Sequence, residues 1–472
     1  MLYVKNASAA AWAQGEFGAV ELKDARWRRR LVLVAEQAAR RPGGKVTEVF
    51  GDNAERQGAY GLLESDAVAA SAIAKSMFRA CAERCADEPF LFCPTDGSSL
   101  TLVDRAKRKF GPIGSRNFGV QGLKVISVLA VSAEGVTLGL TGQVWWTRSQ
   151  QRPKKHRHYR KPEEKETRHW PEAMAQTREA MRSYAPKTRV WFQLDREGDA
   201  WPILEQADAD QHWFTVRGAY DRRVLLPDGS KTYLRTLLAS QPVVSRYSLA
   251  VAPGPNRRGR TATMVVRACQ ATLDFRDKRN HRQHFSKTLN VVLAREIDTT
   301  PAGEKPIEWL LLTNRPVGTE KELQQVVFGY SQRWRIEDFH RAWKSGACRV
   351  EESQLRSEDA AKKWATILAA VAARVERLKL LSRQEPDRPA TDEFSPVELR
   401  ALKLLRFGKS ANKQPGSATS PTLAQATLWV AQLGGYTGKS SGGPPGSVTL
   451  TRGLTQVQTV ARALQALDPS CD

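Results

Sequence analysis

The stretch YSQRWRIEDFHRAWK, residues 330–344, sorts into two faces when wound at about 100° per residue. With Tyr330 set at zero, Arg333, Glu337 and Lys344 fall at roughly 300°, 340° and 320°. One stripe therefore carries a phenol, a guanidinium, a carboxylate and an ammonium. Ile336, Phe339 and Trp343 gather at roughly 180–240°, an apolar side fit for burial. The pattern predicts a helix running on from residue 319 to residue 344. A carboxylate held among cations on an anchored helix suits a site that takes metal and phosphate together. It equally suits an amphipathic helix with i,i+4 ion pairs, such as Arg333 with Glu337. This stretch alone leaves both readings open.

Upstream, two short apolar runs end in an aspartate: PFLFCPTD (89–96) in Asp96 and TRVWFQLD (188–195) in Asp195. A third, WLLLTN (309–314), leads into the helix that bears Glu337. The carboxyl ends of strands open onto the active crevice in α/β folds, so the three acids are expected to meet there. Hard Mg²⁺ or Mn²⁺ takes oxygen ligands, and two ions ~4 Å apart can activate an attacking oxygen and stabilise a leaving one. Each acid has a plainer reading: Asp96 as a turn residue before Gly97, Asp195 as a helix N-cap or a partner for Arg196. Taken jointly with Tyr330, Arg333 and Lys344, they favour a two-metal phosphoryl-transfer site. Trp309, at the start of the third run, reads as a core tryptophan.

Residues 1–70 read as helical. LVLVAEQAARRP (31–42) is periodic, and DARWRRR (24–30) ahead of it crowds Arg26, Arg28, Arg29 and Arg30 into a turn and a half. Further helices are expected at 53–64 and 67–86. The group is either a small DNA-binding module or a helical cap with a solvated basic face. From residue 89 strands take over, including FGVQGLKVISVLAVS and VTLGLTGQVWWTR. A basic loop at 148–165 follows, then a helix opened by Pro171. His156 and His158 lie in that loop and suit a DNA-facing segment more than a metal site. Asp199 is expected to cap the next helix. Residues 218–305 alternate between turns and read as an antiparallel β insertion. After Lys344 the chain is helical, with a Gly/Ser/Pro-rich linker at 408–421 and a last helix at 455–467.

A net charge of +23 over 472 residues calls for a polyanionic partner, nucleic acid before an anionic membrane. No apolar run approaches the ~20 residues of a membrane span, and the N-terminus lacks the pattern of a signal peptide, so a cytoplasmic location is expected. The six cysteines are scattered without a Cys-x-x-Cys pair, which fits reduced thiols rather than a zinc site.

The spacing Tyr330-x₂-Arg333-x₃-Glu337-x₆-Lys344 resembles the Tyr-Arg-Glu-Lys signature of the insertion-sequence-four group of bacterial DDE transposases. The likeness extends to LKDARWRRRLV (22–32), QGAY (57–60), LDREGD (194–199) and EWLLLT (308–313). It implies an α/β fold: an RNase H-like catalytic core interrupted by an antiparallel β insertion and flanked by N- and C-terminal helical regions. The implied layout is a DNA-binding domain at 1–70, core at 71–217 and 306–380, insertion at 218–305, and a dimerisation region at 381–472. Asp96, Asp195 and Glu337 would be the catalytic and metal-binding triad, with two Mg²⁺ or Mn²⁺ ions per active site. Trp309 falls on a tryptophan that stacks on a flipped base, and Arg217 on an arginine beside it. Tyr330, Arg333 and Lys344 fall on phosphate contacts, and Arg30 on an N-terminal DNA contact.

The activity this implies is cut-and-paste transposition: a 3′ nick, a hairpin, its resolution, and joining to target DNA. The partners are double-stranded transposon ends and target, with a homodimer in the synaptic complex, no membrane, and a bacterial, nucleoid-associated location. Gly61 and Trp27 depart from the pattern where arginines are expected, and CRVEESQL (348–355) aligns poorly. A nuclease that does not join strands, and a non-catalytic DNA-binding inhibitor of transposition, are the rival readings.

Overall fold

The structure, a computed structural model, describes residues 8–104, 109–114, 119–149, 164–254, 257–277, 283–408, 420–439 and 443–467. The chain opens with helices Ala9–Phe17, Ala25–Arg40, Val46–Val49, Asn53–Glu64 and Ala70–Arg84. Polar side chains start three of them: Ser8 accepts from Ala11 N, Asp24 from Arg26 N, and Asp52 from Ala54 N and Glu55 N. Leu31, Val34, Ala35, Ala38 and Ala39 recur at helical spacing and form the buried side of Ala25–Arg40. That helix begins earlier than the hydrophobic period indicated. Asp24 caps it, so the arginine cluster lies inside its first turns.

The strands form one mixed sheet. Five of them run in spatial order Thr137–Trp146, Gln121–Val131, Phe90–Thr101, Arg189–Leu194 and Trp213–Arg217. Gln121–Val131 is antiparallel to its neighbours on both sides, and the last three strands are parallel. Helices His169–Tyr184 and Trp201–Asp208 make the crossovers that the parallel strands require. Glu308–Thr313 adds antiparallel to Trp213–Arg217. Beyond it lie the long strands Gln283–Ile297 and Arg260–Asp277, so the strands from 218–305 are antiparallel and extend the same sheet.

Helix Glu358–Gln384 is buried over most of its length and contacts both the N-terminal helices and Thr137–Trp146. Its Lys363 is 1% exposed and donates to Leu63 O and Ser65 O at 3.2 and 2.8 Å. Helices Pro396–Phe407, Leu423–Leu433 and Ser447–Leu467 pack together beside it. The last begins well before residue 455.

Three local expectations are corrected. The 319–344 stretch is two helices, Glu320–Ser331 and Trp334–Lys344, joined through Gln332 and Arg333. Arg333 N bonds Tyr330 O and Ile336 N bonds Arg333 O, three residues back in each case, so the turn tightens at the junction. The strand that begins at Phe90 continues past Asp96 to Thr101, because Gly97, Ser98 and Ser99 pair with Ile126, Val125 and Lys124. Asp199 does not cap Trp201–Asp208. Its buried carboxylate accepts from Arg222 Nη1 and Nη2 at 2.7 and 2.6 Å, and from Ala219 N. That ties the first residues of the 218–305 region to the core. Residues 150–163 of the basic loop, with His156 and His158, and 409–419 of the linker lie outside the described residues.

Candidate active site

The site is built on strand register. Thr95 and Leu194 are the last parallel partners between Phe90–Thr101 and Arg189–Leu194. Asp96 and Asp195 are the next residues on their chains. Side chains alternate along a strand, so both acids project from the face that carries Phe92 and Trp191. Those rings stand 5.3 Å apart, and Phe92 meets Phe328 of Glu320–Ser331 at 5.9 Å. A Cβ at Gly329 would fall 2.4 Å from Phe92 Cε1, so glycine lets this helix lie down on the strand. The two aspartates thus face the helix pair that bears Tyr330, Arg333 and Glu337.

Local hydrogen bonds fix the acids. Asp96 Oδ1 accepts from Gly97 N at 2.7 Å, and Asp195 Oδ1 from Glu197 N at 2.8 Å. The turn and capping readings of these aspartates therefore describe real contacts that coexist with their place in the cluster. Arg333 is 7% exposed and links two carboxylates. Its Nη2 donates to Glu337 Oε1 at 2.6 Å, and its Nη1 stands 3.5 Å from Asp96 Oδ2. Burial pushes the Asp96 carboxyl up to about 7; Asp195 adds to this and Glu337 contributes less, while the Gly97 amide and Arg333 only partly offset it. Burial disfavours the Arg333 charge, but Tyr330, Glu337 and Asp96 outweigh it and raise the group.

A second tier surrounds this group. Tyr330 is 2% exposed, burial raises its hydroxyl, and its ring meets Trp309 edge-on at 5.4 Å. Trp309 is half-buried, so its indole serves the packing as well as the rim. Arg217 Nη2 donates to Glu308 O at 2.8 Å, and its charge interacts with Tyr330 and Arg333. Burial lowers the Arg217 group. Asp96, Asp195, Glu337, Arg217, Trp309, Tyr330 and Arg333 are therefore brought together.

Lys344 and Arg30 are placed differently. Lys344 Nζ lies 3.7 Å from Glu351 Oε1, which also accepts from Thr101 N at 2.8 Å. It stands two turns along the helix from Glu337, at the far end of the Phe90–Thr101 strand. Between them His340 is buried, and burial and Lys344 push it down to about 3. Arg30 sits on Ala25–Arg40 against Gly58 and lines a cleft of about 450 Å³ together with Leu33, Gln37, Glu55 and Arg462. It belongs to the N-terminal helices rather than to the acid cluster.

Among the described residues no group of three or more acidic, imidazole or thiol side chains stands ready to hold an ion. The Arg333 guanidinium lies between Asp96 and Glu337. The donor set itself consists of hard carboxylate oxygens, and burial, with the Asp195 charge beside it, raises Asp96 in a way that a divalent cation relieves.

One residue at the site went unread in the sequence. Trp334, between Arg333 and Glu337, is 51% exposed, and the Arg333 guanidinium lies over its ring at 5.0 Å. Its signal was available: it falls at roughly 40° on the wheel, an aromatic side chain on the polar side.

Residues 9–68 match a family described as transposase DNA-binding. The N-terminal helical region, Arg30 included, is thus similar to the DNA-binding part of transposases. Among solved structures the chain is similar to a piggyBac transposase, described as a synaptic complex with hairpin DNA, at 11% identity and a TM-score of 0.36. That match covers 81% of this chain and 78% of the other. Among the described residues no helix is long and apolar enough to cross a membrane.

Proposed function

We propose that this chain is a DNA transposase of the cut-and-paste type, with an RNase H-like core and affinity to the insertion-sequence-four group. The observation that carries the reading is the placement of Asp96 and Asp195 each one residue past the last parallel partners Thr95 and Leu194, with Glu337 joined to Asp96 through Arg333. Support for the core comes from the strand order Thr137–Trp146, Gln121–Val131, Phe90–Thr101, Arg189–Leu194, Trp213–Arg217, three antiparallel strands followed by parallel ones. The transposase DNA-binding match over residues 9–68 and the net charge of +23 support DNA as the partner.

Asp96, Asp195 and Glu337 are the residues that would hold two Mg²⁺ or Mn²⁺ ions, whose chemistry is to activate an attacking oxygen and stabilise a leaving one. For that, Arg333 must release one of its two carboxylates and is then free to meet a phosphate. Tyr330 and Arg217 orient that guanidinium from the buried side, and Lys344 extends the cationic track along the helix. Trp309, with one edge against Tyr330, limits water at the reacting phosphate and offers the rest of its ring to a displaced base. The cycle is a 3′ nick, attack of the freed 3′-OH on the opposite strand to form a hairpin, its reopening by water, and joining of the same 3′-OH to target DNA. Synapsis of two ends calls for a homodimer, for which residues 381–472 are the candidate contact region.

The test is incubation of purified protein with paired transposon ends taken from the DNA flanking its gene, a target plasmid and Mg²⁺. Joined product supports the transposase, cut ends without joining a nuclease, and binding alone an inhibitor of transposition. Retained cleavage by Asp195→Asn would remove the assigned site.

A further inference from the structure

We propose that Ser127, backed by Gln143 and Thr366, is a positioning residue that takes hold of Asp96 when Arg333 leaves it for a phosphate. The inference deepens the transposase reading and rests on it. Asp96 pairs with Ser127 across Phe90–Thr101 and Gln121–Val131, and Ser127 pairs in turn with Gln143 on Thr137–Trp146. Directly opposite residues point to one face, so the three side chains form a row across the sheet on the side of the acid cluster. The other face holds Ile126, whose Cδ1 would stand 3.2 Å from a Cβ added at Gly97. The row continues to helix Glu358–Gln384, where Thr366 Oγ1 donates to Gln143 Oε1 at 3.3 Å. Ser127 and Thr366 are fully buried and Gln143 nearly so. Between these fixed ends, Ser127 Oγ and Gln143 Nε2 have no hydrogen-bond partner among the described residues. Buried polar atoms are seldom left in that condition, because each forfeits its water without a replacement. Two of them side by side, next to a carboxylate, mark a link that closes in another state of the site.

The carboxylate supplies the reason. Asp96 Oδ1 accepts from Gly97 N at 2.7 Å, while Oδ2 faces Arg333 Nη1 at 3.5 Å. A guanidinium drawn off to DNA leaves Oδ2 buried and without that donor. The Ser127 hydroxyl, on a Cβ about 4.5–5.5 Å across the strand pair, can then turn to it. A hydroxyl accepts as well as donates, so Gln143 Nε2 can donate to Ser127 Oγ at the same time. The completed chain runs Thr366 to Gln143 to Ser127 to Asp96, with every donor pointing toward the carboxylate. Such a chain favours the ionised carboxyl and fixes its orientation, as a metal ligand requires. It also approaches from the side away from the second aspartate. Gln121–Val131 and Arg189–Leu194 flank Phe90–Thr101 on opposite edges, so Ser127 leaves the side toward Asp195 open for an ion.

The probe is Mn²⁺ titrated into the purified chain, with bound metal read by loss of the free-ion EPR signal. Ser127→Ala should bind Mn²⁺ roughly 10- to 100-fold more weakly than wild type. Its metal-free melting temperature should match wild type, since the hydroxyl makes no hydrogen bond in that state. Gln143→Met should weaken Mn²⁺ in the same direction and add nothing in the Ser127→Ala background, because it acts through Ser127. Asp195→Asn controls for the site. Equal affinities of wild type and Ser127→Ala, with Asp195→Asn weakened, overturn the positioning role and leave the transposase reading standing. Additive losses from Ser127→Ala and Gln143→Met do the same. Wild-type binding that Asp195→Asn does not weaken overturns both.

Discussion

Arg333 donates to Glu337 at 2.6 Å across the first turn of Trp334–Lys344, and the bond starts from the junction where that helix parts from Glu320–Ser331. A continuous helix would put the two residues on one stripe. The tightened turn does more, since it carries the guanidinium inward to the sheet, where it also reaches Asp96. One buried cation thereby holds a helix carboxylate and a strand carboxylate in the same small volume. The cost falls on Asp96, which burial and the neighbouring acids hold near neutrality.

Asp96→Asn should therefore stabilise the protein. A raised folded-state carboxyl binds its proton more tightly in the native chain than in the unfolded one. Its contribution to stability is intact below the unfolded value near 3.8 and is lost as pH rises to about 7. At pH 8 the wild type carries this loss in full, on the order of 2–4 kcal/mol, and the asparagine variant does not. Thermal melts at pH 5 and pH 8 should show a gain for Asp96→Asn that is larger at pH 8. Mg²⁺ should raise the melting temperature of wild type at pH 8 and not that of the variant. Equal gains at both pH values would mean that Asp96 is not strained by its neighbours.

The parts of this site differed in how plainly the sequence displayed them. Asp195 and Glu337 sit in patterns governed by nearby residues: an apolar run ending in a carboxylate, and an apolar stripe opposite a polar one. At Asp96 the sequence predicts a strand end, because Gly97-Ser98-Ser99 is good turn chemistry locally, and pairing with residues 124–126 overrules it. The break at Gln332 and Arg333 carries neither proline nor glycine. It follows from docking two helices on one sheet, which no window of sequence reports. The strands from 218–305 looked like a module of their own. Their attachment runs through Glu308–Thr313, and such long-range pairing leaves no local trace.

Two glycine substitutions should act in opposite directions. At Gly139 φ is +151°, and an added Cβ would meet Arg84 Nη2 and Cys81 Sγ, both at 2.8 Å. Arg84 is committed there, donating to Leu138 O at 3.0 Å and to the buried Glu16 at 2.8 Å. Gly139→Ala should cost about 1–3 kcal/mol in denaturant melts and loosen the attachment of the first helix. Gly61 lies in helix Asn53–Glu64 with nothing within 4 Å of its added Cβ. Gly61→Ala should gain up to about 1 kcal/mol. A loss at Gly61 would point to a packing role that the fold does not display.

Lys363 is the buried link between Glu358–Gln384 and the N-terminal helices. Its ammonium meets two carbonyls and Asp359 Oδ2 at 2.5 Å while the side chain is 1% exposed. Methionine fills the volume but leaves Leu63 O and Ser65 O without their donor. Lys363→Met should therefore lower stability by about 2–4 kcal/mol, and increased proteolysis near residues 63–65 should accompany it. A neutral result in urea titration would show that water replaces the ammonium at no cost.

Lys344 offers a test of the cationic track that does not depend on catalysis. Its ion pair with Glu351, at 3.7 Å and part-exposed, contributes little to folding, so Lys344→Ala should melt within about 0.5 kcal/mol of wild type. On DNA the same ammonium would exchange Glu351 for a phosphate and release one counterion. The slope of log affinity against log salt should then fall by about 0.9 in the variant, with affinity weakened alike on every DNA sequence tried. Anisotropy titrations across a salt series read both quantities. An unchanged slope would place the DNA backbone away from this end of the helix and confine phosphate binding to Arg333 and the residues around it.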